Sequence, residues 1–200
     1  MNKFKDYDPS EDPSSFNKVM RFVWEIVKVV VVSVIIIVPI RMFVVQPFIV
    51  EGASMEPTFE NGEYLVVDEI SLRFSDIKRG DVVIFHPPHN ASLYYIKRVI
   101  GLPGEAVEIK DGGIYIYNDE FPEGTRLDEN NYLPESALSG NKQKVYLKDK
   151  EYFVAGDNRG NSLDSRSFGP IVLERIKGKV FLRAFPFNRL DLFKAPSYNF

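Results

Sequence analysis

The chain has 200 residues, a length that allows one domain with an appendage. Its formal charge of −3, from 25 basic and 28 acidic residues without a basic tract, argues against a nucleic-acid partner. Cysteine is absent, which excludes disulfides, thiolate metal sites and cysteine nucleophiles. The 16 Phe and 10 Tyr residues are sufficient for a packed core.

The first 45 residues change from polar to strongly apolar. Residues 1–21 are predicted to form a polar cytoplasmic tail, and residues 22–45 a transmembrane anchor helix, because the apolar stretch of about 20 residues matches the thickness of a bilayer. The stretch is longer than the core of a cleaved signal peptide or an ordinary buried strand. Lys and Arg precede it and are then absent between Arg41 and Arg73, so the positive-inside rule predicts a single-pass cell-membrane protein with its N-terminus in the cytoplasm.

Residues 46–200 are predicted to form an extracytoplasmic, mostly β domain. Short β-branched and aromatic runs are bounded there by Gly, Pro, Asp and Asn, which is typical of strands, and KDGGIY is typical of a hairpin. The predicted strands lie in EYLVVDEI, DVVIFH, LYYIKRVIG, AVEIK, GIYIY, EYFVAG and GKVFLRAF. The polar interval 118–144 is predicted to be a surface insertion.

Three segments contain candidate reactive side chains. Ser54 lies on a small-residue turn, and its hydroxyl needs a base to become a nucleophile, although most turn serines only satisfy backbone groups. His86 and His89 are too few to hold a metal ion and are more typical of a loop. Lys97 lies in an apolar strand, where burial would lower its pKa and make it a base, unless it points to solvent.

The third segment is GDNRGNSLDSR, residues 156–166, a cluster of polar side chains directly after an apolar strand. A plain surface loop could have this composition. The alternative is a loop that orients a catalytic lysine, with Ser162 as the hydrogen-bond partner of the lysine and Asp164 paired with Arg166 behind it.

Together these segments resemble the type I signal peptidases, which use a Ser-Lys dyad. The resemblance lies in GASMEPTF, RGDVVIF, YYIKRVIGLPGE and GDNRGNSLDSR, in the order of the family and behind an apolar anchor, and extends to FPFNR. It implies a mostly β domain built on a large twisted sheet, preceded by one transmembrane helix. It also implies an endopeptidase that removes N-terminal signal peptides from exported preproteins after small residues. The implied partners are preprotein signal peptides and the lipid bilayer, with no nucleic acid, metal or cofactor.

The resemblance also assigns roles to residues. Ser54 is implied as the nucleophile and Lys97 as the general base, acting through an acyl-enzyme. Supporting roles fall on Ser162 and Asp164, and roles in stabilising the loop fall on Asp157 and Arg166. The six candidates for the apolar substrate pockets are Phe48, Val50, Met55, Phe59, Tyr95 and Ile96, each of which could instead be ordinary core.

Two positions depart from the family pattern. The oxyanion is expected to be held by the Ser54 N–H and a second donor, which in some members is a serine hydroxyl two residues earlier. Gly52 occupies that position, so a backbone donor is expected there instead. Glu105 stands where Asp is more usual in the family, a change that looks conservative and structural.

Other classes of protein remain as alternatives. One is a catalytically inactive, membrane-tethered β-domain that acts as a binding module, against which the intact set of Ser54, Lys97 and Ser162 argues. Residues 75–78, SDIK, match the S-x-x-K motif of penicillin-binding proteins and β-lactamases, but the companion motifs are absent. The self-cleaving repressors share a Ser-Lys dyad, but they carry a DNA-binding helical domain rather than an anchor.

Overall fold

The computed structural model describes residues 15–43, 45–133, 142–198 and 200. The chain divides into two units, residues 1–42 and 43–200. Helix α1, Ser15–Phe43, belongs to the first unit except for its last residue, and it coincides with most of the predicted anchor at 22–45. Most of the predicted tail, residues 1–14, lies outside the described residues. Within the described part of the chain, no helix has both the length and the apolar character that a membrane crossing requires.

The second unit is built from strands with a few short helical turns. The strands are β1 Val45–Ile49, β2 Tyr64–Asp68, β3 Val82–Phe85, β4 Tyr95–Gly101, β5 Ala106–Lys110, β6 Gly113–Tyr117, β7 Thr125–Arg126, β8 Lys142–Tyr146, β9 Glu151–Ala155, β10 Ile171–Val172, β11 Ile176–Phe185 and β12 Asp191–Leu192. Helix α2 is a single turn, Ser165–Phe168, and 3₁₀ turns lie at Ser71–Arg73, Leu173–Arg175 and Phe187–Arg189. The prediction of a mostly β domain is confirmed.

The strands form two antiparallel sheets. The larger has the order β1-β2-β11-β3-β4-β9-β10, with β12 beside β11, and the smaller has the order β7-β6-β5-β8. Strand β11 shifts register against β2 and against β3. Such irregularities increase the local twist of a sheet, so they curl the larger sheet about its longest strand.

The hairpin between β5 and β6 forms where KDGGIY predicts it. Lys110 pairs with Gly113, which leaves a two-residue turn. Both turn residues have positive φ, 50° at Asp111 and 70° at Gly112. A two-residue turn of this hand matches the twist of paired strands, and Asp-Gly is a preferred sequence for it.

Among the residues that the structure describes, the buried apolar side chains form three clusters. One fills the space around the smaller sheet, and another lies beneath β9, β10 and one face of β3. The third surrounds the Ser54 turn and consists of Val50, Met55, Phe59, Leu65, Val67, Val82, Ile84 and Val180. Since Met55 and Phe59 are completely buried, the turn that follows Ser54 is anchored in the core on the side away from solvent.

The predicted surface insertion, 118–144, is partly built into the domain. It contributes β7 and the start of β8, and it buries Leu127 and Leu133. Its Glu129 forms a bidentate ion pair with Arg159, at 2.5 and 2.6 Å. A polar composition does not distinguish a solvated loop from one whose charges are paired inside the molecule. Residues 134–141 of the interval lie outside the described residues.

Candidate active site

Ser54 lies on a turn that is held at both ends by backbone hydrogen bonds. Val50 N–H donates to Glu63 O at 2.9 Å, and Glu56 N–H donates to Ala53 O at 3.2 Å. Gly52 has a φ of 88°, a conformation that favours glycine. These bonds, together with the buried Met55 side chain next to it, fix the backbone of a half-buried serine.

Lys97 reaches this serine from β4. Its Nζ lies 2.7 Å from Ser54 Oγ and donates a hydrogen bond to Ile96 O at 2.8 Å. The residue is only 4% exposed, so the alternative in which it points to solvent is wrong. Burial lowers the pKa of Lys97 from 10.5 to about 8, against the opposing charges of Asp164 and Asp157. An amine with such a pKa supplies a useful neutral fraction near neutral pH.

Asp164 is the centre of the loop 156–166. Its buried carboxylate accepts hydrogen bonds from Ser162 Oγ at 2.7 Å and from Gly156 N–H at 2.9 Å. Arg166 adds two charge-assisted bonds, both 2.7 Å long, as the sequence predicted for this pair. Burial alone would raise the pKa of Asp164, but the bonds from Arg166, Gly156 and Ser162 hold it below its ordinary value. The carboxylate therefore stays charged.

Ser162 differs from its expected contact. Its hydroxyl donates a hydrogen bond to Asp164. Within the described part of the chain, no hydrogen bond joins Ser162 to Lys97. The hydroxyl has a single proton, and the charged carboxylate of Asp164 receives it. Ser162 still lies beside the Ser54 turn, because a Cβ on Gly156 would meet Ser162 Oγ at 2.1 Å and Ser54 O at 2.5 Å. Only glycine fits between them.

A buried ion pair supports the loop from behind. Arg98 donates to Asp157 twice, at 2.8 and 2.6 Å, and Thr58 Oγ1 donates to Asp157 at 2.5 Å. Of these three residues, the sequence predicted a role only for Asp157. The sequence does contain a signal for Arg98, namely two successive cationic residues, Lys97 and Arg98, in an otherwise apolar strand. Because side chains alternate along a strand, these two must point to opposite faces of the sheet.

Asn158 is another contact residue that was not expected from the sequence. Its backbone N–H donates to Ser54 O and its side-chain Nδ2 donates to Ala53 O, each at 3.1 Å. No sequence pattern points to this contact, since the two segments are more than 100 residues apart.

An apolar cleft of about 520 Å³ opens in front of the Ser54–Lys97 pair. Four of the six pocket candidates line it, namely Phe48, Val50, Tyr95 and Ile96. Met55 and Phe59 do not, because they point into the core on the other side of the turn. The lining also includes residues that the sequence did not single out: Ile49, Glu51, Leu65, Ile84, Ser92, Leu93, Tyr94 and Leu163.

The two residues that depart from the family pattern, Gly52 and Glu105, both form hydrogen bonds within the domain. The Gly52 N–H donates to Asn61 Oδ1 at 2.8 Å, so it is already engaged and does not act as the expected second oxyanion donor in this conformation. Glu105 accepts from Arg79 at 2.6 Å and from Leu102 N–H at 2.8 Å, which are structural contacts.

The histidines belong to the loop before β4. His86 Nδ1 lies 3.0 Å from Leu93 O and its ring stacks on Tyr94, with centroids 4.4 Å apart. His89 contacts Tyr95. Among the described residues, no group of three His, Cys, Asp or Glu side chains is placed to hold a metal ion.

Comparison with known proteins places the chain in a family. The profile of the family described as "Signal peptidase, peptidase S26" matches residues 23–185. Signal peptidase I of Bacillus licheniformis is 37% identical over 185 residues, covering 90% of this chain and 97% of the relative. Signal peptidase I T of Bacillus subtilis (strain 168) is 39% identical over 167 residues, covering 82% and 86%. A solved structure of a signal peptidase I from Enterococcus faecalis V583 is 29% identical, with a TM-score of 0.43, over 52% of this chain and 97% of that chain. The family profile and these relatives show that the chain belongs to the type I signal peptidases, a family of serine peptidases.

Proposed function

We propose that this chain removes N-terminal signal peptides from exported preproteins, with Ser54 as nucleophile and Lys97 as general base. The observation that carries the proposal is the 2.7 Å contact between Lys97 Nζ and Ser54 Oγ. General-base catalysis needs a base within hydrogen-bond reach of the hydroxyl and with a pKa near the working pH. A buried lysine whose pKa is lowered to about 8 satisfies both requirements.

The reaction is an acyl transfer in two stages. Ser54 Oγ forms a bond to the scissile carbonyl carbon while its proton moves to Lys97 Nζ, and the carbonyl electrons move to oxygen. The C–N bond then breaks, and the leaving amine takes the proton from Nζ. Water adds to the acyl-enzyme and passes a proton to Nζ. Ser54 Oγ departs and recovers that proton, which regenerates the dyad.

The surrounding polar residues position and tune the dyad. The Ser54 N–H is the proposed donor to the oxyanion that forms at the carbonyl oxygen. The charged Asp164 keeps the pKa of Lys97 from falling further, and Arg166 and Ser162 hold Asp164 in place. Asp157 anchors the other end of the loop through Arg98.

The cleft supports the proposal that small side chains are preferred before the cut. We propose that the preprotein binds as an extended strand, in which alternate side chains face the same side. The residues one and three positions before the cut then both point to the enzyme. Phe48, Val50, Tyr95 and Ile96 line the cleft, and apolar walls built from such bulky side chains would admit alanine more readily than a large residue.

Residues 22–45 are proposed as the anchor in the cell membrane, with the N-terminus in the cytoplasm and residues 46–200 outside. The support is a local run in α1, the four successive valines 29–32, which are all exposed. Four successive residues cover the whole circumference of a helix, so this stretch of α1 is apolar on every side, a pattern that suits contact with lipid. The full chain should stay with membranes after a carbonate wash, and protease added outside the cell should digest residues 46–200. Release of the chain by the wash would contradict the anchor.

The test of catalysis uses the purified full chain in detergent with a preprotein substrate. The parent should release the mature protein, with the new N-terminus identified by mass spectrometry. Ser54→Ala and Lys97→Ala should each lower kcat/KM by at least about 10³-fold, since a nucleophile and its base act as a unit. Ser75→Ala is the matched control, because this exposed serine belongs to the S-x-x-K run and should be dispensable. Undiminished cleavage by Ser54→Ala would overturn the proposal.

A further inference from the structure

Asn158 holds two successive carbonyl groups of the Ser54 turn. Its Nδ2 donates to Ala53 O and its backbone N–H donates to Ser54 O, each at 3.1 Å. The Glu56 N–H also donates to Ala53 O, at 3.2 Å, but it belongs to the same turn and moves with it. Asn158 therefore ties the turn to a different part of the chain.

The side-chain bond controls the direction of the neighbouring N–H group. The Ala53 carbonyl and the Ser54 N–H belong to one planar, trans peptide unit, so they point in opposite directions. Holding the carbonyl oxygen fixes the direction of the N–H vector. We infer that Asn158 is a positioning residue that aims the Ser54 N–H at the oxyanion, an inference that rests on the proposed function.

Asn158 is itself held firmly. On one side Asp157 forms the buried ion pair with Arg98, and on the other side Arg159 forms the ion pair with Glu129. Arg159 Nε also donates to Gly156 O at 3.0 Å. Because the ion pairs of Asp157 and Arg159 hold the backbone on both sides of it, the Asn158 amide is a fixed donor. Preorganised stabilisation of a transition state requires such a donor.

The test removes this donor while keeping the backbone. Asn158→Asp has the same shape without the N–H donor, and Asn158→Ala lacks the group entirely, and both keep the N–H that bonds to Ser54 O. Complete removal of an oxyanion donor costs about 10²–10³ in kcat, so loosening one should lower kcat by about 10- to 100-fold. We expect KM to change by less than about twofold, because the donor acts on the transition state.

A peptide aldehyde provides a readout that a general structural role would not affect. Ser54 Oγ adds to the aldehyde carbon, the C=O π electrons move to oxygen, and the Oγ proton passes to Lys97. That oxygen then lies where the oxyanion forms. The dissociation constant of the aldehyde should rise by the same factor as kcat/KM falls, and the pH profile of the uncharged variant, Asn158→Ala, should keep the parent's apparent pKa.

Two comparisons make the outcome decisive. Asn131→Asp is the matched control, because Asn131 Nδ2 donates to a backbone carbonyl, Ser197 O, at the same 3.1 Å but elsewhere in the domain. It should leave kcat and aldehyde affinity unchanged.

If Ser54→Ala and Lys97→Ala remain active, the proposed function fails. If those two are inactive while both Asn158 variants bind the aldehyde as tightly as the parent, only the role of Asn158 is overturned. A loss confined to KM would overturn it too.

Discussion

Lys97 and Arg98 are adjacent residues on one strand, and both are buried, yet their surroundings are opposite. Arg98 is 1% exposed and donates to the Asp157 carboxylate twice and to Gly80 O once. Lys97 is 4% exposed and bonds to Ser54 Oγ and Ile96 O, with no carboxylate at ion-pair distance among the described residues. The alternation of a strand sends the two side chains to opposite faces. The difference teaches that a lysine buried without a carboxylate at ion-pair distance gains an accessible neutral form, whereas the neighbouring arginine is held as a paired cation.

The different surroundings of Arg98 and Lys97 have different energetic consequences. A buried ion pair is tolerated when both partners have their hydrogen bonds satisfied, as in the Arg98–Asp157 pair. A buried amine without such a partner loses solvation, and its neutral form becomes accessible. One two-residue stretch of β4 thus contains both a structural cation and a candidate base.

The largest expected effect comes from making the two residues alike. Lys97→Arg keeps the charge but replaces the amine by a guanidinium that cannot lose its proton in proteins. Without a base for Ser54, kcat/KM should fall by at least about 10³-fold between pH 7 and pH 9. Lys179→Arg is the matched control, since Lys179 lies 3.5 Å from Asp81 and arginine can serve equally in that pair. Retention of more than a tenth of the activity in Lys97→Arg would contradict a base at this position.

The second prediction concerns Arg98 and its buried ion pair with Asp157. Arg98→Met leaves Asp157 charged and buried without its partner, which should lower the free energy of unfolding by about 3–5 kcal/mol. Urea denaturation at pH 7 measures the change. Lys150→Met removes one member of the exposed pair with Glu174, at 3.8 Å, and should change stability by less than about 1 kcal/mol. Equal effects from the two variants would show that burial does not distinguish these ion pairs.

The sequence was informative where local rules decide the structure. Strands β5 and β6 begin and end where AVEIK and GIYIY do, because their alternation and the Asp-Gly turn agree. The fit of Ser54, Lys97 and Asp164 to a known family pattern located the segments that the fold brings together. Strand β1 was not predicted, because its apolar residues continue the anchor pattern and pair only with β2, which begins at residue 64.

Contacts between distant parts of the chain determined the features that the sequence did not predict. Met55 and Val50 are both apolar neighbours of Ser54, but one fills the core and the other also borders the cleft. No periodicity distinguishes them, since a turn lacks the regular alternation of a strand. Glu129 and Asn158 are polar residues in polar stretches, and their roles come from partners that are distant along the chain.

The third prediction concerns stability and pH. In the folded chain the pKa of Lys97 is about 8 rather than 10.5, so between these values the unfolded chain binds more protons and stability rises with pH. The stabilisation is complete above 10.5 and is lost as pH falls through about 8, a difference of about 3 kcal/mol. Lys97→Met lacks this titration. Urea unfolding of both proteins from pH 7 to 10 should show the parent gaining stability relative to the variant. Parallel curves would contradict a lowered pKa.

The smallest expected effect lies at the wall of the cleft, where packing rather than charge sets the outcome. The Tyr94 ring meets Phe48 edge-on, with centroids 5.2 Å apart, and rests on His86 behind it. Tyr94→Ala should widen the cleft without moving the dyad, because Lys97 is held by its own contacts. The ratio of kcat/KM for a substrate with leucine three residues before the cut to one with alanine should rise by about tenfold. Tyr146→Ala, at an exposed position on the smaller sheet, is the control and should leave the ratio unchanged. An unchanged ratio in Tyr94→Ala would mean that the side chains lining the floor of the cleft, rather than this aromatic wall, limit the size of the substrate.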